Sequence, residues 1–253
     1  MPSIDLNCDV GELPEAIADG TQEALMPSLS SVNIACGGHA GDESSMRTTI
    51  EQAKRWNLAI GAHPGYPDPA NFGRLEWNLP PDILADSIFE QVLRLAEVAD
   101  HLGVAITHVK PHGALYNQAA RDKEIARAIA AGVAHWNRDV VLVGLAGSVS
   151  LETYREAGFA VAAEAFADRR YEQDGSLRSR RFGDALIREP AEAARQAVRL
   201  AAHGKAQTIC IHSDTPGAPG IAAAVADALR TAGIAIRPFL RNQNQRRAHP
   251  IKY

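Results

Sequence analysis

The sequence places lysine, histidine and carboxylate side chains in short motifs that suit acid–base chemistry. In Lys110-Pro111-His112-Gly113, a lysine leaving an apolar strand can neutralise a developing oxyanion, and the nearby histidine can move protons. Asp9 and Glu12 form a second motif, in which paired carboxylates either exchange protons or cap the start of a helix. These motifs predict a site that stabilises charge and transfers protons.

Two further histidines extend this set. His39 lies in a glycine-rich segment, and His63 precedes Pro64, which favours an extended backbone and would direct the His63 ring across the mouth of a site. Asp9, His39 and His63 could also act as three metal ligands with one position left open. Since the sequence has no HExxH or CxxC motif in support of a metal, we assign no metal ligands.

Several other polar residues have structural interpretations. Asp42 is predicted to cap a helix that begins near Glu43, and His108, inside a strand, is predicted to be hydrogen-bonded in the core. The three cysteines are expected to be reduced and buried, because each lies in or at the end of an apolar run: Cys8, Cys36 and Cys210. The remaining histidines lie near helix ends or in a basic tail and receive no functional role: His101, His135, His203 and His249.

Repeated β-α units must position these residues. Short apolar segments alternate with longer segments of helical period, a pattern typical of helices around a parallel sheet. The predicted strands cover residues 3–8, 31–35, 58–62, 105–109, 140–145, 159–164, 208–211 and 234–238. No linker rich in proline, glycine or serine divides the chain, so one barrel-like or doubly wound domain is expected.

Polar residues lie at or just after the ends of six of these eight strands. Parallel α/β folds carry their sites at the carboxyl ends of the strands, so these side chains are expected to meet at one mouth. They are Asn7, Asp9 and Glu12, then Asn33 and His39, His63, Lys110 and His112, Glu164 and Asp168, and finally His212 and Asp214.

Two connections are longer than a β-α loop needs. The first, residues 64–81, contains several prolines and is predicted to form a lid or wall of the site. The second, residues 165–186, has a predicted hairpin turn at Asp174-Gly175. It also carries five arginines, which suit either an anionic ligand or a solvated or subunit-facing surface: Arg169, Arg170, Arg178, Arg180 and Arg181.

Composition excludes several classes of protein. The chain has 253 residues, of which 46% are hydrophobic and 22% charged, as in ordinary globular domains. Its formal charge of -4 argues against a nucleic-acid partner. The apolar runs are shorter than the roughly 20 residues of a membrane span, and the first residues carry no secretory signal, so a cytoplasmic location is expected. A GxxxxGK[ST] phosphate loop is absent, so any nucleotide must be bound by another geometry or by a partner.

The motifs follow one another in an order that resembles the LamB/YcsF family. The matching segments are DLNCDVGE at 5–12, NIACGGHAGD at 33–42, GAHPGYPD at 61–68, FGR at 72–74, VKPHGALYN at 109–117, EAFADR at 164–169 with Tyr171 and DG at 174–175, and HSDTPGA at 212–218. Three residues depart from the family's usual pattern: Gly38 stands where Phe is common, Gly65 where Ser is frequent, and Ser213 where Gly is common.

The resemblance implies a fold and an activity. The fold is a distorted (β/α) TIM-like barrel of the glycoside hydrolase/deacetylase type, which we expect in residues 1–240. The activity is that of a hydrolase acting on a cyclic amide C–N bond: with two partner subunits, the chain would open 5-oxo-L-proline to L-glutamate while ATP is hydrolysed to ADP and phosphate. ATP would be a co-substrate bound mainly by a partner subunit, accompanied by Mg²⁺. Residues 241–253 form a basic tail, which we expect to be disordered.

For this activity, Asp9 or Asp168 is expected to act as the base for water, while Lys110 and His112 stabilise charge on the lactam or phosphorylated oxygen. Arg169 is expected to hold the substrate carboxylate. Replacing Lys110 by Met is expected to keep the fold and remove most turnover. The other residues assigned to substrate binding are Arg74, as a second choice for the carboxylate or for a phosphate, and Asn7, Glu12, Asn33, His39, His63, Glu164, His212 and Asp214.

Two alternatives stay open at the level of sequence. The first is a metal-dependent deacetylase or glycosidase, suggested by the superfamily and by Asp9, His39 and His63. The second is a non-catalytic subunit whose mouth binds a ligand while its partners perform the chemistry.

Overall fold

Parallel strands form the centre of the molecule. The computed structural model describes residues 1–239, and the predicted basic tail, 241–253, lies outside the described residues. The strands are β1 (Ser3–Val10), β2 (Ser31–Ala35), β3 (Ala59–His63), β4 (Ile106–Val109), β5 (Val141–Leu145), β6 (Ala160–Phe166), β7 (Thr208–His212) and β8 (Ala235–Ile236). Every predicted strand is present, and the observed ends differ from the predicted ones by at most two residues.

Strand β1 closes the sheet into a barrel. It pairs in parallel with β2 through residues 7–10 and with β7 through residues 5–9. Strands β2 to β7 pair in chain order, so β1 to β7 form a closed ring within residues 1–239. Strand β8 lies outside this ring and pairs with β1 at Ser3 and Ile4. The predicted TIM-like (β/α) barrel is therefore confirmed, and the doubly wound sheet is not the architecture of the described chain.

Helices surround the barrel. They are α1 (Pro14–Ala18), α2 (Thr21–Leu25), α3 (Glu43–Arg55), α4 (Pro81–His101), α5 (Gly113–Ala119), α6 (Lys123–Trp136), α7 (Val149–Glu156), α8 (Pro190–His203) and α9 (Ala218–Thr231). Helix α4 shows why they pack inward, because one apolar stripe of it is buried: Leu84, Ile88, Val92, Leu95 and Ala99. Burying each of the larger side chains contributes roughly 1.5–3 kcal/mol.

Local sequence sets the ends of these helices. The Asp42 side chain accepts a hydrogen bond from the Ser45 backbone N–H at 2.8 Å, which confirms Asp42 as the N-cap of α3. Helix α8 begins at Pro190 and ends at His203, and its C-cap Gly204 has a φ of 69° in the left-handed region. Histidines 101, 135 and 203 lie in the last turns of α4, α6 and α8, as predicted.

The two long connections stand at the carboxyl end of the barrel. The first joins β3 to α4 and contains a short 3-10 turn, Pro69–Asn71. The second joins β6 to α8 and folds back on itself, with antiparallel bridges between Arg169 and Leu186 and between Tyr171 and Leu177. Gly175, with a φ of 85°, lies at the tip and confirms the predicted hairpin turn.

A buried polar cluster closes the opposite, amino-terminal end. Asp5 of β1 accepts hydrogen bonds from the hydroxyls of Ser30 at 2.6 Å, Ser31 at 2.9 Å and Thr208 at 2.5 Å. Burial raises the pKa of Asp5 to about 6, although these hydroxyl groups favour the ionised form.

No helix in the described part of the chain is long and apolar enough to cross a membrane.

Candidate active site

A cavity of about 1990 Å³ opens at the carboxyl ends of the barrel strands. Ten of the residues that the sequence predicts for the site line this cavity: Asp9, Glu12, His63, Arg74, Lys110, His112, Glu164, Arg169, His212 and Asp214. The other four are buried behind the lining: Asn7, Asn33, His39 and Asp168. The strand ends therefore bring the predicted residues together at one mouth, in two layers that the sequence does not distinguish.

Lys110 lies at the centre of the cavity floor. Its Nζ is 2.9 Å from Asp9 Oδ1 and 2.9 Å from Glu164 Oε1, and it lies 3.1 Å from the Cys210 sulfur. Burial would lower the pKa of Lys110, but the surrounding negative groups, Asp9 first and Glu164 with it, together outweigh burial and hold this pKa well above its usual value. Burial raises the pKa of the Cys210 thiol, so a protonated thiol lies beside a charged ammonium.

Asp9 is ionised, and one of its two carboxylate oxygens accepts two hydrogen bonds. Its Oδ1 accepts hydrogen bonds from Lys110 Nζ and, at 2.8 Å, from Asn33 Nδ2, while its Oδ2 lies 3.3 Å from His63 Nε2. Burial would raise the pKa of Asp9, but the charges of His63 and Lys110 hold it well below its ordinary range. Asp9 is therefore a fixed negative charge between a lysine and a histidine.

The residues behind the lining hold these groups in place. Asn7 Nδ2 donates to Glu164 Oε1 at 3.0 Å, and Asn33 Nδ2 donates to Asn7 Oδ1 at 2.8 Å. His108 Nε2 lies 2.9 Å from Asn33 Oδ1, which confirms that His108 is hydrogen-bonded in the core. A Cβ on residue 61 would lie 2.2 Å from the His108 ring, so Gly61 leaves the space that this ring fills.

His63 and His112 face each other across the cavity wall. His63 Nδ1 donates to the Lys110 carbonyl at 2.7 Å, and His112 Nε2 donates to the Phe72 carbonyl at 2.9 Å, because a carbonyl can only accept. The two remaining nitrogens, His63 Nε2 and His112 Nδ1, are 3.0 Å apart. Both rings are thus held with one nitrogen aimed at the same point.

Glu12 completes this group with His39. Glu12 Oε1 lies 3.0 Å from His112 Nδ1, 3.6 Å from His63 Nε2 and 2.9 Å from His39 Nε2. The His39 ring stacks on His112 with centroids 3.5 Å apart. Burial and the nearby His112 lower the pKa of His39 to about 4, so this ring is neutral. Its Nδ1 has no hydrogen-bond partner among residues 1–239.

Four side chains in this group offer metal-ligand atoms. Glu12, His39, His63 and His112 each contribute one such atom, and all four atoms lie within 4.8 Å of one another. The sequence suggested Asp9 in place of Glu12 and did not include His112 in a metal set. The difference arises because Lys110 pairs with Asp9 Oδ1 and leaves only Asp9 Oδ2 near His63, whereas Glu12 Oε1 contacts all three imidazoles.

A carboxylate–histidine pair forms the opposite wall. Asp168 Oδ1 accepts from His212 Nδ1 at 3.0 Å, and its Oδ2 accepts from the His212 backbone N–H at 3.0 Å and from the Thr215 hydroxyl at 2.9 Å. Burial would raise the pKa of Asp168, but His212 outweighs burial and lowers it. The His212 ring stacks on Phe166, with centroids 5.3 Å apart, and lines the cavity. Asp168 itself lies behind His212.

Three buried polar atoms near the floor lack hydrogen-bond partners in the described part of the chain. They are Tyr116 Oη, Glu164 Oε2 and Arg169 Nε. The Nη2 of Arg169 donates to the Arg178 carbonyl at 2.8 Å. Burial and the neighbouring Arg180 lower the pKa of Arg169 to about 10, so it remains charged at neutral pH. Such unmet hydrogen-bonding groups are typical of a site that a polar ligand completes.

Asp214 ties the two long connections together at the rim. Arg74, on the first connection, donates to Asp214 Oδ2 at 2.5 Å, and Arg180, on the second, donates to the same oxygen at 2.6 Å. Arg74 and Asp214 were predicted to bind substrate separately, but the structure pairs them. Arg74 is also half exposed, at the entrance rather than on the floor.

Two of the departures from the family pattern contact one buried side chain. Gln91 of α4 donates to the Gly65 carbonyl at 2.9 Å and accepts from the Gly65 N–H at 3.0 Å. A Cβ on residue 38 would lie 2.2 Å from Gln91 Oε1, and one on residue 65 would lie 2.8 Å from His39 Nδ1. Gly38 and Gly65 therefore leave the space that Gln91 and His39 occupy.

Sequence reasoning missed several residues of the site. Tyr116 and Phe166 line the cavity, and both lie inside the motifs that carry the family resemblance. Tyr116 lies one helical turn after His112, and Phe166 lies two residues after Glu164. This closeness to predicted site residues was a usable signal that both line the cavity. Thr215, three residues after His212 in the motif at 212–218, carried the same signal, whereas Gln91 carried none because its role depends on a contact between segments far apart in the chain.

The fold and the site define a class: a TIM-like barrel with acid–base groups at the carboxyl ends of its strands. Residues 4–244 match the LamB/YcsF family, and the chain belongs to this family.

Related proteins are similar to this chain over nearly its full length. It is 47% identical to a protein named as the A subunit of 5-oxoprolinase from Chloroflexus aggregans, over 94% of this chain and 99% of the relative. It is 40% identical to a lactam utilization protein from Thermus thermophilus, whose crystal structure covers 94% of this chain and all of its own, with a TM-score of 0.86. The catalytic domain of a peptidoglycan N-acetylglucosamine deacetylase from Eubacterium rectale is 7% identical, with a TM-score of 0.53 over 94% of this chain and 88% of its own, and shows a shared fold alone.

Proposed function

We propose that this chain is a subunit of an ATP-dependent 5-oxoprolinase, which opens 5-oxo-L-proline to L-glutamate in the cytoplasm together with two partner subunits. The observation that carries this proposal is the near full-length similarity to relatives named as the A subunit of 5-oxoprolinase. The cavity supports it, because the charged Arg169, the buried Lys110 and the oriented His212 all line it.

The floor of the cavity suits a small carboxylate-bearing lactam. Arg169 is charged and buried, and its Nη1 and the second hydrogen of Nη2 can hold the substrate carboxylate by a two-pronged contact. Lys110 brings a positive charge to the same floor, its Nζ lying 5.4 Å from the centre of the Phe166 ring, which lines the cavity. A lactam oxygen bound beside Lys110 would be stabilised as negative charge develops on it.

The energy input follows from the chemistry of the ring. A five-membered lactam is an unreactive amide whose closure is favoured over the open amino acid, so phosphorylation of its oxygen by ATP makes the ring carbon reactive. Water adds to that carbon, and the C–N bond breaks with protonation of nitrogen to leave an acyl phosphate. A second water then releases glutamate and phosphate. ATP, with Mg²⁺, is assigned mainly to a partner subunit, because this chain carries no GxxxxGK[ST] loop.

His212 fits the role of the base better than either carboxylate named from the sequence. Both oxygens of Asp168 already accept hydrogen bonds, and Asp9 is paired with Lys110. Asp168 holds the His212 Nδ1 proton, so Nε2 presents a lone pair that can take a proton from water and return it to the leaving nitrogen. Asp168 is then a positioning residue for His212.

A second candidate is a metal-dependent hydrolase. The observation that favours it is the group of Glu12, His39, His63 and His112, whose potential ligand atoms converge. In that case hydrolysis would proceed on the chain alone and without ATP.

One reconstitution separates these functions. The purified chain, alone and mixed with its two candidate partner subunits, is given 5-oxo-L-proline with and without ATP, and L-glutamate is measured. We expect glutamate only in the complete mixture with ATP. Glutamate from the chain alone without ATP would support the metal-dependent hydrolase, and no glutamate in any mixture would overturn the proposed reaction.

A further inference from the structure

We infer that Glu12, His63 and His112 bind a divalent transition-metal ion of the zinc class at the wall of the cavity, with His39 holding Glu12 in place. This inference does not depend on which reaction the cavity catalyses.

The orientation of the two imidazoles is the first support. His63 and His112 each donate their far nitrogen to a backbone carbonyl, as metal-binding histidines do when such contacts fix their rings. The remaining nitrogens, His63 Nε2 and His112 Nδ1, then face each other across 3.0 Å. Both nitrogens can direct a lone pair at one metal ion on the same side of the cavity wall.

The distances between the donor atoms are the second support. Glu12 Oε1 lies 3.0 Å from His112 Nδ1 and 3.6 Å from His63 Nε2, and the two nitrogens are 3.0 Å apart. Bonds of about 2.0–2.2 Å in a tetrahedral zinc site separate neighbouring ligand atoms by about 3.3–3.6 Å. The three atoms therefore form one face of such a tetrahedron.

The balance of charge is the third support. Asp9, Glu12 and Glu164 are buried carboxylates of the same cavity wall, and Lys110 pairs with Asp9 and Glu164. Within residues 1–239, Glu12 forms ion pairs with histidines and with no lysine or arginine. A divalent ion at Glu12 would place a fixed positive charge beside a buried carboxylate that no lysine or arginine pairs with in the described chain.

His39 belongs behind the ion rather than on it. Its Nε2 lies 2.9 Å from Glu12 Oε1, and its Nδ1 has no partner in the described chain. If Nε2–H donates to Glu12, Nδ1 carries only a lone pair; if Nε2 bound the ion, a buried N–H would be left unpaired at Nδ1. Glu12, His63 and His112 line the cavity and His39 does not, so the fourth position of the ion opens to the cavity.

The donor set selects the metal. Two imidazoles and one carboxylate suit Zn²⁺ and its neighbours Co²⁺ and Ni²⁺, whereas Mg²⁺ prefers oxygen ligands and keeps its water. The site is thus distinct from any Mg²⁺ that accompanies ATP.

The test uses the purified chain without substrate or partners. After treatment with a chelator, binding of Zn²⁺ is measured by competition with a chromophoric indicator, and Co²⁺ is followed by its visible absorption. We expect one equivalent to bind with the spectrum of a four-coordinate site, and Mg²⁺ not to compete.

Variants assign the ligands. His63→Ala and His112→Ala are expected to lose the bound ion, as is the nearly isosteric Glu12→Gln, which keeps the packing if the alanine variants fold poorly. His39→Ala should weaken binding by roughly 10- to 100-fold, as loss of a supporting contact does. The exposed His101→Ala serves as the matched control and should bind as the wild type does. A wild-type chain that binds no Zn²⁺ or Co²⁺, or whose binding survives Glu12→Gln and His112→Ala, would overturn the inference.

Discussion

Asp168 holds both the backbone and the side chain of His212, accepting a hydrogen bond from the His212 N–H at 3.0 Å and another from its ring Nδ1 at 3.0 Å. The same carboxylate accepts from the Thr215 hydroxyl. One buried group thus sets the position and the tautomer of the imidazole that stacks on Phe166.

The first prediction concerns this pair. Asp168→Asn should lower kcat nearly as much as His212→Asn, by roughly 10²- to 10⁴-fold in the reconstituted complex. The reason is that the asparagine oxygen must face the His212 N–H, so its amide donates to Nδ1 and moves the imidazole proton to Nε2. The KM for 5-oxo-L-proline should change little.

Nitrogen NMR of His212 checks the cause, since it reports which ring nitrogen carries the proton. The wild type should be protonated at Nδ1 and the Asp168→Asn variant at Nε2. A variant with unchanged tautomer and near-normal kcat would contradict the role of the pair. His101→Asn, at an exposed helix end, is the control.

The second prediction corrects an expectation from the sequence. Lys110→Met was expected to keep the fold, but Lys110 is buried between Asp9 and Glu164, so its removal leaves two buried carboxylates without a counter-charge. We expect a loss of roughly 3–5 kcal/mol in the free energy of unfolding, measured with urea. Lys123→Met, at an exposed and distant ion pair, should change it by less than about 1 kcal/mol.

A double-mutant cycle isolates this effect. Glu164→Gln removes one of the two carboxylates, so the double variant should lose less free energy of unfolding than the sum of the two single variants. Simple additivity would show that the Lys110–Glu164 contact contributes nothing to stability.

The third prediction concerns substrate affinity. Arg169→Gln should raise the KM for 5-oxo-L-proline roughly 10- to 100-fold, because a hydrogen bond to a charged group contributes roughly 1.5–3 kcal/mol. The neighbouring Arg170, which is paired with Glu192 at 2.8 Å on the surface, gives the matched control Arg170→Gln. Equal KM values for both variants would remove Arg169 from carboxylate binding.

The fourth prediction concerns pH and the amino-terminal end of the barrel. The pKa of Asp5 is about 6 in the folded chain, above its model-peptide value of 3.8, so the folded state binds this proton more tightly. The stabilisation is complete below about pH 4 and is lost as pH rises through 6, to a total of roughly 3 kcal/mol.

Asp5→Asn should remove this dependence, since the three hydroxyls around it can rotate to meet an amide. The free energy of unfolding, measured by urea denaturation between pH 4 and 7.5, should fall with pH in the wild type relative to Asp5→Asn. A constant difference between the two proteins across that range would refute the assignment.

The sequence was informative where local pattern decides structure. Alternating apolar and amphipathic segments predicted the strands, and the capping role of Asp42 followed from its place before Glu43. The family resemblance then distinguished the barrel from a doubly wound sheet, which the pattern alone left open.

The site was less predictable, because a strand end does not tell which side chains reach the cavity. Asp168 and His212 belong to different strand ends, and only their hydrogen bonds show that the histidine faces the cavity and the carboxylate lies behind it. Glu12 contacts three histidines and Asp9 only His63 for a similar reason, since Lys110, far along the chain, takes up Asp9 Oδ1.

The position of Gln91 limits which residues can occupy positions 38 and 65. Its side chain fills the space next to Gly38 and binds both backbone polar groups of Gly65. A phenylalanine at residue 38, as is common in the family, would need a smaller or differently oriented residue at 91. We therefore expect residues 38, 65 and 91 to accept substitution only in combination, because they share one packed space.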